Sequence, residues 1–230
     1  MRHRLAARIA LLAALAVSLA GAAWLASRAY RPADLPSVGP PPTKPEFDGC
    51  KETQSDAPLA TSPVRSCASE PEASPLFGAL GLGPWITQFG EGPLCENAAG
   101  AERYRLVWLR SFHEPVIVTF ESRGGEYTAV GKVANGKGGY EPGIVYQRRH
   151  VSLTREQFEE VRGWLSQVHF WSRAPEVPRT IMDGASWIME GVKDGRYHWI
   201  DRQSCGDVEL QRIAMLMIKA TGITIKGPIY

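Results

Sequence analysis

The chain predicts an α+β domain: an antiparallel sheet of five to six strands with two helices packed on one face, preceded by an N-terminal hydrophobic helix and a Pro-rich tether. Three observations predict it. Beyond Cys95, short runs alternate β-branched or aromatic residues with polar ones; two later stretches change to helical spacing behind clear caps; residues before Cys95 keep neither period. A length of 230 residues allows one ordinary domain with appendages, and a net charge of +2 without any Lys/Arg block interleaved with aromatics gives no case for nucleic acid.

Residues 1–30 read as an export signal. Arg2, Arg4 and Arg8 precede an uncharged run from Ile9 to Ala26, with small residues at Ala20-Gly21-Ala22 where a signal peptidase would cut. The same run just reaches the length that spans a bilayer, with Trp24 and Tyr30 at the far interface, so cleaved signal and retained anchor both stay open. In either case the bulk of the chain is expected outside the cytoplasm, periplasmic or anchored to the inner membrane facing the periplasm. Residues 31–94 are rich in Pro, Gly, Ser and Ala, and read as a largely disordered tether, semi-rigid at Pro40-Pro41-Pro42, with local order near Phe77 to Phe89.

Residues 95–230 form the predicted domain. Tyr104 to Phe112 makes a strand. Val116, Val118 and Phe120 alternate with Ile117, Thr119 and Glu121 ahead of a Gly124-Gly125 turn, which marks a hairpin, and a Gly-rich loop then leads into "IVYQRRHVSL", another strand. Thr154 caps a helix with Gln157 three residues on, Leu153 and Phe158 form a hydrophobic staple, and Phe158, Val161, Leu165 and Val168 mark the buried face. Asp207 caps a last helix that Gly222 ends; its apolar residues on several sides predict cover on more than one face.

Between the helices lies "DGASWIMEGVKDGRYHWIDRQS", Asp183 to Ser204. A three-residue loop, Lys193-Asp194-Gly195, would pair Met189 with Trp199, Ile188 with Ile200, Glu190 with His198 and Gly191 with Tyr197, whereas a two-residue turn would mix polar with apolar residues on both faces. The first register is expected. It places Trp187, Met189, Tyr197 and Trp199 on the helix side, and sets Glu190 beside His198 on a solvated face, where the carboxylate would raise the imidazole pKa. Glu190, His198 and Asp201, with Glu141 from the loop, form the one acid/base set the sequence offers; Tyr140, Glu141, Glu190, His198 and Arg202 form the candidate binding surface. Charged cross-strand pairs on a solvated sheet are also ordinary structure.

The cysteines Cys50, Cys67, Cys95 and Cys205 follow no zinc spacing and, in an exported chain, are expected as disulfides Cys50–Cys67 and Cys95–Cys205. No metal and no cofactor is expected. Gly131 to Lys137 has a phosphate-loop outline, but Gly138 stands where the Ser/Thr belongs; His113-Glu114 lacks a second His and meets Pro115; His150 and His169 are single.

The stretches "YRLVWLRSFHEPV", "GKGGYEPG", "LTREQFEEVRGWLSQVHFW" and "DGASWIMEGVKDGRYHWIDR" resemble the successive motifs of a family of uncharacterised exported bacterial proteins, from about Cys95 to Gly222. The resemblance implies a single domain and no assigned activity. It draws attention to Gly139, Tyr140, Glu141 and Gly143, and to Asp183, Glu190, Gly191, Asp194, Gly195, Tyr197, His198, Asp201 and Arg202, several of which are turn or hairpin positions any such fold needs. The function expected is a non-enzymatic binding or accessory module of the cell envelope, with an unknown envelope protein or ligand as partner. The alternatives are an envelope hydrolase or transferase using the Glu/His/Asp set, or a carbohydrate binder with exposed Trp.

Overall fold

The structure is a computed structural model that describes residues 64–67, 81–138, 140–175, 183–204 and 207–229, all within the compact unit Pro42–Tyr230. The proposed signal or anchor, Cys50 and Cys205, and Gly139 lie outside the described residues. No helix among the described residues is long and apolar enough to cross a membrane.

The elements are β1 (Arg65–Ser66), α1 (Gly83–Gln88), β2 (Ala101–Arg110), β3 (Val116–Arg123), β4 (Glu126–Ala134), β5 (Val145–Ser152), α2 (Arg155–Gln167), a 3-10 turn (Phe170–Ser172), β6 (Ala185–Lys193), β7 (Arg196–Gln203) and α3 (Val208–Thr221). The fold is mixed α+β. Its strands make one seven-stranded antiparallel sheet in the order β1-β7-β6-β2-β3-β4-β5, more strands than the sequence predicts because the short β1 comes from the supposed tether.

On one face Tyr104, Leu106, Trp108, Val118, Phe120, Trp187, Met189 and Ile200 meet Phe158 and Val161 of α2 and Leu210, Ile213 and Met217 of α3. Both helices begin as their caps dictate. Thr154 Oγ1 accepts from Gln157 N (3.2 Å) while Gln157 Oε1 accepts from Thr154 N (2.8 Å), and Asp207 Oδ1 accepts from Leu210 N (2.9 Å). Helix α3 ends at Gly222, at φ 66°, a left-handed position that glycine takes without steric cost.

The second face is covered as well. Residues 81–98, assigned to the tether by their composition as far as Leu94, lay Ile86, Phe89, Leu94 and Cys95 over Val107, Ile117, Ile188, Val192, Tyr197 and Trp199. Cys67 is bonded to Cys95, so the expected pairs Cys50–Cys67 and Cys95–Cys205 do not form. The physical reason is the path of the arm: Cys67 N donates to Gly195 O (2.9 Å) as β1 leaves the edge of β7, and the chain returns past α1 to the same corner, where the two Cα atoms stand 5.2 Å apart. A disulfide is compatible with an oxidising compartment.

The β6–β7 register also differs from the expected one. Glu190 pairs with Trp199, Ile188 with Asp201, Gly191 with His198 and Val192 with Tyr197, across a two-residue Asp194-Gly195 turn with φ of 51° and 70°. Both turn residues are left-handed, the type I′ geometry whose twist suits a hairpin. A one-residue change of register turns every β7 side chain to the opposite face. Polar and apolar residues therefore do mix on both faces, and the mixture is stable because both faces are covered and the charged groups find partners inside.

Candidate functional site

The sequence-derived candidates do not converge. Cross-strand alternation puts Glu190 and Asp201 on the face under the arm, and His198 and Arg202 on the helix face. Glu141 lies in the β4–β5 loop, at the end of the sheet away from the β6–β7 turn.

Glu190 is fully buried opposite Arg105 on β2. Arg105 Nε and Nη2 both reach Glu190 Oε2 at 2.5 Å, and Tyr197 Oη donates to Oε1 at 2.8 Å. Arg105 Nη1 donates to Gly92 O (2.7 Å) and lies 3.8 Å from Glu91 Oε2; Glu91 in turn pairs with Lys132 Nζ (2.5 Å), which also donates to Phe89 O (2.7 Å). Two cations and two carboxylates thus alternate in a chain, Glu190, Arg105, Glu91 and Lys132, between the sheet and the arm. Burial alone would push the Arg105 guanidinium down, but the adjacent Glu190 outweighs it and holds the group above its ordinary range. Glu190 is thus occupied by partners on β2 and β7, and it is Arg105 that carries the contact on to the arm.

His198 stands against the bare backbone of Gly191. A Cβ at Gly191 would come within 2.7 Å of the Phe170 ring, so the Phe170 ring covers the glycine. The imidazole packs edge-on to Phe170 (5.1 Å between centroids) and beside Trp171 (6.4 Å). Burial lowers its pKa to about 4; the hydrogen bond with the Arg173 backbone opposes this, and the nearby charges of Arg202 and Arg196 add to it. The expected rise from a Glu190 partner is therefore reversed, since the register places the two groups on opposite sides of the sheet.

Arg202 is committed to structure. It donates to Pro175 O (3.0 Å) and Ala174 O (2.7 Å) and lies 3.6 Å from Asp207, the cap of α3, which Arg173 also pairs at 2.9 Å. Asp201 N donates to Pro175 O at 2.6 Å. These residues close the outer edge of β7.

Exposure is concentrated at the opposite end of the sheet. Lys137 and Glu141 exchange backbone hydrogen bonds of 2.8 and 2.9 Å, and Asn135 bonds Ile144 through backbone and side chain, so the loop is tightly closed. It presents Tyr140, 65 % exposed, with its ring 6.0 Å from that of Phe112, itself 50 % exposed. Ile144 (75 %) and Tyr146 (45 %) are exposed at the same end of the sheet, and Tyr146 Oη donates to Glu114 Oε2 at 2.9 Å beneath Lys226. The sequence marks Tyr140 and Glu141, but its pattern does not single out Phe112, Ile144 and Tyr146; the period of a strand read in isolation does not tell an edge from a centre.

A second feature escapes the sequence: a cavity of about 510 Å³ between α2 and the β6–β7 turn, bordered by Arg162, Gly163, Ser166, Trp171, Lys193 and Arg196. Glu102 neutralises its rim, lying 3.7 Å from Arg162 and 3.4 Å from Lys193. None of the candidate acid/base residues lines it. No Trp is among the exposed large apolar side chains of the described residues; Trp108 and Trp187 stack in the core at 4.3 Å. No group of three or more His, Cys, Asp or Glu among the described residues is placed to hold a metal ion. No family model and no curated protein matches the chain.

Proposed function

We propose that the chain is a non-enzymatic binding or accessory module of the cell envelope, exported or membrane-anchored, and that it meets its partner through the Tyr140 end of the sheet. The observation that carries this reading is the separation of the acid/base set. Glu190 is held by Arg105 and Tyr197 in the dry interior, and His198 lies on the other face with its imidazole kept neutral. By contrast, four large side chains, Phe112, Tyr140, Ile144 and Tyr146, stay in water at one end of the sheet. Patches of that kind in a folded domain usually mark contact surfaces. The Cys67–Cys95 disulfide accords with export.

The test is capture from envelope extracts by the whole mature chain, compared with a Tyr140→Ser/Ile144→Ser variant of equal stability. A partner retained by the first and lost by the second supports the proposal. Equal recovery by both, or recovery no better than a linker-only control, overturns it.

A further inference from the structure

Among the described residues the sheet has two edges and only one is closed. Along β7 the outer peptide groups meet β1, through Arg65 and Ser66 opposite Tyr197 and Arg196, and farther along Asp201 N donates to Pro175 O. At the other edge β5 has β4 on one side and, among the described residues, no strand on the other. Its eight residues are long for an edge, and none is Pro. A bulge at Tyr146, where Val145 and Gln147 pair with the adjacent Ala134 and Val133, bends its start without covering the rest.

The side chains along β5 define what could pair there. Ile144 and Tyr146 are exposed at its beginning, followed by exposed Arg148, Arg149 and His150. Arg149 lies opposite Gly131 and Arg148 opposite Lys132, so one guanidinium stands on each face of the sheet. No described carboxylate pairs with either. A second copy fits badly: full-length antiparallel pairing of β5 with itself sets Arg148 against Arg149 twice, four guanidinium groups without an acid between them. An acidic strand fits both faces.

Building on the binding reading above, we propose that β5 receives an extended acidic segment of a partner protein by strand addition, its carboxylates meeting Arg148 and Arg149 and an apolar residue resting on Ile144 and Tyr146. Main-chain hydrogen bonds along the open edge supply affinity, and the paired arginines supply the preference for acid.

The probe is a labelled peptide, acetyl-Thr-Val-Asp-Glu-Val-Thr-Val-Thr-amide, titrated into the whole chain by fluorescence anisotropy, with hydrogen exchange of the β5 amides read in parallel. Binding should protect β5 amides and weaken with salt. Replacing Asp-Glu by Lys-Lys, or N-methylating alternate amides of the peptide, should each lose about tenfold or more. The Arg148→Glu/Arg149→Glu variant, checked for folding by circular dichroism, should lose the acidic peptide and gain the Lys-Lys one. Equal binding of acidic and basic peptides, undiminished binding of the N-methylated peptide, or self-association through β5 in sedimentation would each overturn the proposal. An envelope partner still captured by the charge-reversed variant would sink strand addition while leaving the binding module standing; loss of both peptide and partner binding in the native chain would remove both.

Discussion

At the residue scale the decisive side chain is Arg105, because a charged residue buried in the middle of a strand becomes tolerable only once its partner is known. Arg105→Met leaves the buried Glu190 without the cation that faces it, and removing one member of a buried ion pair costs about 3–5 kcal/mol. Arg105→Met/Glu190→Met removes both charges and should recover most of that loss, less the cost of freeing Glu91 from its 3.8 Å neighbour. Urea unfolding of the two single variants and the double variant measures the coupling; strictly additive losses would contradict the pairing. His198 gives a second prediction with a definite sign. Its folded pKa of about 4 lies below the unfolded 6.5, so between those values the unfolded chain takes up the proton and the folded chain does not. Its contribution is therefore complete above pH 6.5 and lost as pH falls toward 4, at most about 2 kcal/mol after allowing for nearby solvent. Urea midpoints at pH 7 and pH 4.5 should differ for the native chain by more than for His198→Phe, and an identical pH slope in both would refute the buried neutral imidazole.

At the element scale, what was legible followed from local chemistry. Thr154 with Gln157, and Asp207 ahead of an apolar run, specify helix starts through hydrogen bonds within four residues, and both helices begin where those groups stand. The hairpin register was not legible in the same way. Asp194-Gly195 favours the tight turn, but rejecting it rested on assuming one dry and one wet face, and only the arm lying over the second face makes Glu190 opposite Trp199 acceptable. Hence the Glu190–His198 pair, and the raised imidazole pKa expected from it, fell with the register. The caps can be ranked by experiment. Thr154→Ala should cost about 1 kcal/mol and Thr154→Ser only a few tenths. Asp207→Ala should cost more than Thr154→Ala, because Asp207 also lies 2.9 Å from Arg173 and 3.6 Å from Arg202. Asp207→Asn keeps the cap but not the charge, so chemical denaturation should place it between Asp207→Ala and the native chain; equality with the native chain would mean the two arginines contribute nothing.

At the scale of the whole molecule, composition concealed how far the fold reaches back. Pro, Gly and Ser dominate the stretch before Cys95, so its few apolar residues carry no period; yet Ile86, Phe89 and Leu94 seal the second face of the sheet. Two independent devices hold this arm: the ion chain, through Lys132 to Phe89 O and Arg105 to Gly92 O, and the Cys67–Cys95 disulfide, which closes a loop with a sequence separation of 28. A loop of that length removes about 3–4 kcal/mol of unfolded-state entropy in the chain-entropy model. Cys67→Ala/Cys95→Ala should thus lower stability by about 2–4 kcal/mol, because the ion chain keeps the arm docked and the folded state loses little besides the cross-link. The consequence separates thermodynamics from local opening: with β1 no longer tied to Cys95, the arm should open more often than the sheet unfolds. Chymotrypsin would then cut at Trp85 or Phe89 well before it cuts within β2 to β4, while the native chain resists at both sites until global unfolding. If the variant instead keeps its urea midpoint and Phe89 stays protected, the ion chain alone holds the arm, and the disulfide's part is confined to the few residues around β1.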